Sequence, residues 1–218
     1  MKRLDNGNIE LILTVFWKDI AHEYEHLVEH AVLEAELPGF RKGKAPRKDV
    51  EARLNKNEVY GKAVEKLLPG AYAKVIKKFS LKPILQPQIK LQKAELNQDW
   101  EFLMIICEAP VISLPKNYLM VLKKTEKEKR LDWLDKDITA VVPEILVEEE
   151  ANHRLGSLIE NFTKLGLTTE QISAKTLKAD AISQARRDLK MEFTLESVRI
   201  DNKLKDRKST LDFLMNLV

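Results

Sequence analysis

Residues 37–46 read Leu37-Pro38-Gly39-Phe40-Arg41-Lys42-Gly43-Lys44-Ala45-Pro46. Pro38-Gly39 ends a helix and Pro46 suits the first turn of another, so the stretch is a tip between two helices. The two glycines let the backbone turn without side-chain clash. Phe40 is a large apolar ring in a polar setting. Arg41 offers a fork for carboxylate or phosphate, and Lys42 and Lys44 add point charges. Two readings of these residues stay open: a docking device, or an ordinary basic loop with Phe40 folded back into the core.

Working outward, residues 9–16 are apolar and β-branched enough for a strand, with the turn Asn6-Gly7-Asn8 before it. From 17 to 37 the period becomes helical, with Ile20, Tyr24, Leu27, Val28 and Ala31 on one stripe. A short helix is expected to about Asn55. A longer one follows over 58–79 with Val59, Ala63, Leu67, Tyr72, Val75 and Ile76 inward, bent or split at Pro69-Gly70. Pro83 and Pro87 bracket an extended stretch. Strands are expected at 89–91 and 100–107 around the turn Asn97-Gln98-Asp99, and another at 118–122. The expected fold class is thus an α+β domain over 1–122, an antiparallel sheet with long helices and a helix-loop-helix tip, followed by a small all-α domain.

Residues 123–137 are dominated by charge and read as a linker or a solvated helix, where the domain boundary is placed. In the helical second half, 138–218, Pro143 opens a helix to about Leu165. Its expected apolar face is Ile145, Leu146, Leu155, Leu158, Ile159 and Phe162, with Gly166 as C-cap. Helices at about 174–204 and 208–217 complete the chain.

With 218 residues, 44% hydrophobic and 33% charged, the chain can bury ordinary cores. A net charge of +3 is too near neutral to imply nucleic-acid binding by itself, but the charges come in blocks. Asp19, Glu23, Glu25, Glu29, Glu34 and Glu36 precede Arg41, Lys42, Lys44, Arg47 and Lys48, so an acidic helix runs into a basic loop. No apolar run approaches the roughly 20 residues of a membrane helix, and Met1 to Asn8 lacks the apolar stretch of a secretion signal. A cytoplasmic protein without membrane contact is expected. A single cysteine, Cys107, permits no internal disulfide.

His22-Glu23-Tyr24-Glu25-His26 matches H-E-x-x-H, a pattern that on a helix can hold zinc and supply a general base. His22, His26 and His30 sweep an arc of roughly 80°, opposite the apolar stripe, and so face solvent. A catalytic zinc needs a third protein ligand. His30 lies roughly 12 Å along the helix from His22, and His153, the remaining histidine, is in the second half. The expectation is a solvated face, with no metal site, no catalytic residue and no cofactor; a zinc metallopeptidase is the remote alternative.

The run Gly39 to Pro46 is a complete G-F-R-x-G-K-x-P motif, and through it the chain resembles the trigger factor family, bacterial chaperones of the ribosomal exit tunnel. The resemblance continues through Pro46-Arg47-Lys48, Val59-Tyr60, Leu67-Leu68-Pro69-Gly70-Ala71-Tyr72 and Lys82-Pro83-Ile84-Leu85-Gln86-Pro87-Gln88-Ile89. Leu85 departs from the usual small residue, and the histidine face is not a family feature. Val142 to Glu148 and Thr210 to Leu214 resemble, less specifically, an abbreviated form of the family's C-terminal domain.

What the resemblance implies is a ribosome-binding segment, Gly39, Phe40, Arg41, Lys42, Gly43 and Lys44. Phe40, Arg41 and Lys42 would contact a tunnel-exit protein of the large subunit and adjacent rRNA, and unfolded or nascent polypeptides would be the clients. The client-binding residues are unassigned and a homo-oligomer is possible. The family's FKBP-type prolyl isomerase domain, about 100 residues, has no space here. Some twenty residues separate Leu122 from Pro143, and no glycine occurs between Gly70 and Gly156. A short form without isomerase activity is expected. A ribosome-free holdase or assembly chaperone of the same fold, and an RNA-binding assembly factor, are the alternatives.

Overall fold

The computed structural model of the protein describes residues 1–164 and 174–217. The elements are β1 (Lys2–Arg3), β2 (Ile9–Val15), α1 (Trp17–Glu34), α2 (Arg47–Glu51), α3 (Lys56–Phe79), β3 (Gln88–Lys93), β4 (Trp100–Ile106) and α4 (Tyr118–Lys124). A 3-10 turn (Lys127–Lys129), α5 (Arg130–Asp137), α6 (Glu144–Lys164), α7 (Ala174–Asp201) and α8 (Arg207–Met215) follow. The strands form an antiparallel sheet in the order β1-β2-β4-β3. β3 and β4 pair with Ile89 opposite Met104 and Leu91 opposite Phe102, and a register shift between Leu91 and Lys93 marks a bulge.

The chain forms two compact units: Glu10–Lys82 with Pro87–Ile105 and Met1, and Lys2–Ile9 with Pro83–Gln86 and Ile106–Val218. In the first, alternation along β2 buries Leu11, Leu13 and Val15, while α1 buries Ile20, Tyr24 and Val28 at the spacing of one helical face. α3 buries Val59, Ala63 and Val64 and is continuous through Pro69, so of the two expectations there, a bend or a split, the split does not occur. Tyr60 stacks on Tyr24 at 4.3 Å between ring centroids and meets Trp17 and Trp100 at 5.6 and 6.2 Å. Phe16, at the N-cap of α1, has no side-chain acceptor. Asp99, from the β3–β4 turn, takes that role by accepting from the Trp17 N–H at 2.8 Å.

The second unit differs from the sequence expectation in three places. Residues 118–122, read as a strand, belong to the helix α4. A five-residue apolar run fits either period; here Tyr118 and Leu122, four apart, both enter the core, and Lys123 and Lys124 favour a helix C-terminus. The charged run 123–137, read as a linker or a solvated helix, is helical over Arg130–Asp137, but this helix, α5, is not wholly solvated: it buries Arg130 and Leu134. Leu134 joins a core cluster with Tyr118, Leu122, Ile138, Leu195, Val198 and Leu214. Finally, Leu158 and Ile159, expected on the apolar face of α6, are exposed. Ile145 is buried as expected, and Leu146 and Leu155 pack as expected against a cluster of Val147 and Ala151 with Ala181 and Ala185, the small residues that α7 presents to α6.

Residues 2–9, read as part of the N-terminal domain, lie in the second unit, where they cap α6. The Asn6 carbonyl accepts from the Glu144 N–H at 3.1 Å and Asn8 Oδ1 from the Ile145 N–H at 3.2 Å. The expected C-cap Gly166 and the side chain of Phe162 lie outside what is described.

Candidate functional site

The loop between α1 and α2 is built from two tight turns in series. In the first, the Phe40 N–H donates to the Leu37 carbonyl at 3.0 Å, with Pro38 second and Gly39 third at φ +87°. In the next, the Lys44 N–H donates to the Arg41 carbonyl at 2.9 Å, with Gly43 third at φ +71°. Proline second and a positive-φ glycine third form the residue pattern of a type II turn. The Gly43 N–H donates at 3.0 Å to the Ala35 carbonyl, so the loop is pinned to the end of α1. On the other side Ala45 and Val50 are buried and anchor the entry to α2.

Between the two turns sits Phe40, 45% exposed, so its ring is not folded into the core. Arg41, Lys42 and Lys44 are exposed. The five cations of the region divide sharply in their ion pairing. Arg47 donates to Glu25 at 2.5 Å and to Glu51 at 3.1 Å, and those carboxylates raise its pKa above the ordinary arginine value. Arg41, Lys42, Lys44 and Lys48 have no ion-pair partner among the described residues. The loop therefore holds a half-exposed ring flanked by uncommitted cations on a backbone that two turns and one cross-bond restrain. This arrangement suits binding an anionic surface with an apolar recess.

In and after the H-E-x-x-H pattern, His22, His26 and His30 are exposed on α1. Glu23 accepts from Lys66 Nζ at 2.6 Å and lies 3.8 Å from His26 Nδ1, so its carboxylate is held by a neighbouring helix. Among the described residues no group of three or more His, Cys, Asp or Glu side chains is placed to hold a metal ion. No described helix is long and apolar enough to cross a membrane.

Sequence reasoning found the loop but missed two features of the helices that frame it. Asp99, which orients the start of α1, gave no signal beyond membership of a polar turn. Arg47 was grouped with the loop cations, although Glu25 and Glu51 hold it; the Arg47–Glu51 spacing of four was a readable clue.

The family model described as "Bacterial trigger factor protein (TF)" matches residues 1–145, and "Bacterial trigger factor protein (TF) C-terminus" matches 113–212. A trigger factor of Corynebacterium glutamicum is 26% identical over 247 residues, covering 97% of this chain and 51% of its own length. One from Staphylococcus carnosus is 32% identical over 155 residues, covering 71% of this chain and 32% of its own. One solved structure, of the trigger factor chaperone, overlaps at TM-score 0.38 and 21% identity, over 62% of this chain and 35% of that one. This chain spans about half the length of the curated relatives it matches over nearly its whole extent. On the match of the first model over well more than half its residues, the chain belongs to the bacterial trigger factor family.

Proposed function

We propose that the protein is a ribosome-associated chaperone that docks at the tunnel exit through residues 39–44 and shields unfolded or nascent polypeptides without catalysing prolyl isomerisation. The observation that carries this reading is the pairing of a half-exposed Phe40 with the uncommitted Arg41, Lys42 and Lys44 on a turn-restrained tip. Phe40 would fill an apolar recess on a ribosomal protein, Arg41 would fork onto one of its carboxylates, and Lys42 and Lys44 would meet rRNA phosphates. A cytoplasmic location and a ribosomal partner follow from this role.

Support for the isomerase-free reading comes from the two family-model matches, which overlap over 113–145 and so run on without an intervening segment. The stretch between is occupied by α4, the 3-10 turn and α5, helices that contribute to one core cluster. For clients, the second unit offers apolar side chains in solvent, Met120, Val141, Leu158, Ile159 and Ile200, suited to weak and rapidly exchanging contacts. Met104 is fully buried and serves the core, and Met191 and Met215 are partly buried.

Co-sedimentation with ribosomes at two salt concentrations tests the proposal. Wild type is expected in the pellet at low salt and less at high salt. The variant with alanine at 40, 41 and 42 is expected in the supernatant at both. Equal pelleting of the two proteins contradicts the docking assignment, and a client-binding wild type that never pellets favours the ribosome-free holdase.

A further inference from the structure

Leu33 is 68% exposed on α1, outside the face of Ile20, Tyr24 and Val28 that the helix buries. With Glu29, Val32 and Arg47 it lines an open groove of about 300 Å³. The groove adjoins the docking loop directly. A Cβ placed on Gly43 would stand 2.7 Å from the Leu33 carbonyl oxygen, so the second turn of the loop rests on the Leu33 backbone.

The chemistry changes over this short distance. The loop presents cations without ion-pair partners. In the groove, Val32 and Leu33 offer no donors, the Arg47 charge is already taken by Glu25 and Glu51, and Glu29 adds a carboxylate. A phosphate would be drawn to the loop and repelled from the groove. A folded protein can satisfy both halves, because its surface can set carboxylates beside one protruding aliphatic or aromatic side chain.

We propose that the Val32–Leu33–Arg47 groove is a second subsite of the docking surface, receiving an apolar side chain from an acidic protein surface of the ribosome. The inference rests on the docking assignment and adds to it the class of the contacting partner at this point: protein, not rRNA.

The test measures equilibrium binding to salt-washed large subunits, and separately to naked rRNA extracted from them. It compares wild type, Leu33→Ser, Leu33→Met and the triple-alanine loop variant. Because Leu33 is exposed, both single variants should keep the wild-type urea midpoint. Leu33→Ser is expected to weaken subunit binding about tenfold and Leu33→Met by less than about twofold, with rRNA binding unchanged in both. If Leu33→Ser binds subunits as wild type does while the triple variant does not, the groove is overturned and the docking assignment stands. An equal loss by Leu33→Ser on naked rRNA would make the occupant nucleic acid and overturn the inference. Should wild type and the triple variant bind subunits equally, the docking assignment falls and the groove with it.

Discussion

Gly43 lies so close to Leu33 that no side chain fits between them: an added Cβ would be 2.7 Å from the Leu33 carbonyl oxygen, at a φ of +71°. Gly39 has a similar φ of +87°, but an added Cβ would meet nothing within 4 Å. The two glycines of the loop thus have different reasons to be glycine. One needs the left-handed backbone alone, and the other needs it together with close approach.

Alanine scanning of the two positions should separate these reasons. Gly39→Ala carries only the left-handed penalty and is expected to cost about 1 kcal/mol. Gly43→Ala adds the clash with α1 and should cost roughly 2 kcal/mol or more, moving the loop away from Leu33. Urea unfolding gives the stabilities, and amide exchange at Gly43 reports whether its bond to Ala35 survives. Equal costs at both sites would contradict the geometry.

Arg130, 6% exposed, donates to the carbonyls of Leu122 at 2.9 Å, Thr125 at 3.2 Å, Leu214 at 2.8 Å and Leu217 at 3.1 Å. One guanidinium therefore closes the C-terminal ends of α4 and α8, where helix dipoles favour a cation. Arg130→Met removes a side-chain donor from four carbonyls, of which Leu122 keeps the Thr125 N–H at 3.2 Å, and is expected to destabilise the second unit by about 3 kcal/mol. Arg130→Lys should recover only part of this, since an ammonium cannot fork between two helix ends. Hydrogen exchange should show α8 losing protection first; unchanged α8 protection in Arg130→Met would contradict the capping role.

Alkaline pH should destabilise the second unit in two stages. Burial, with the Glu108 charge adding to it, raises the Cys107 thiol from 9.0 to about 11. Burial is also the main cause that raises Tyr118 from 10.0 to about 12, with its hydroxyl donating to Asp201 at 2.8 Å. Each folded pKa lies above the unfolded one, so each contribution is complete below the unfolded value and is lost as pH rises through the folded value. Stability should therefore fall from about pH 9 to 11 through Cys107 and from about pH 10 to 12 through Tyr118. Denaturation midpoints of wild type and Cys107→Ala across this range check it: the variant should lose the earlier part of the decline.

Glu23→Gln tests the chemistry of the H-E-x-x-H pattern. Glu23, its side chain 14% exposed, pairs with the exposed Lys66, and glutamine keeps an oxygen to accept from that ammonium, so the change should cost about 1 kcal/mol. Client holding should be unaffected, and dialysed wild type should retain no stoichiometric zinc. A zinc-dependent peptidase activity abolished by Glu23→Gln would reverse that assignment.

Local pattern revealed much of the first unit. The stripe Ile20, Tyr24, Val28 and the alternation along β2 follow directly from periods of 3.6 and 2, and the loop's turns follow from Pro38-Gly39 and Gly43. What stayed hidden depends on partners far along the chain. The N-terminal turn caps α6 through Asn6 and Asn8 across more than 130 positions. Arg130 reaches Leu214 across 84. A charged run containing Arg130 looks solvated until the two helix ends it serves are in place, and the run 118–122 fits a strand as well as a helix until Tyr118 and Leu122 enter one core.

The most direct measurement places a photoreactive phenylalanine analogue at position 40 and irradiates the protein with salt-washed ribosomes. The account predicts a crosslink to a large-subunit protein at the tunnel exit, lost at high salt and absent from a control analogue at Lys178. Crosslinks confined to the protein's own chain, or equal in yield from positions 40 and 178, would contradict it.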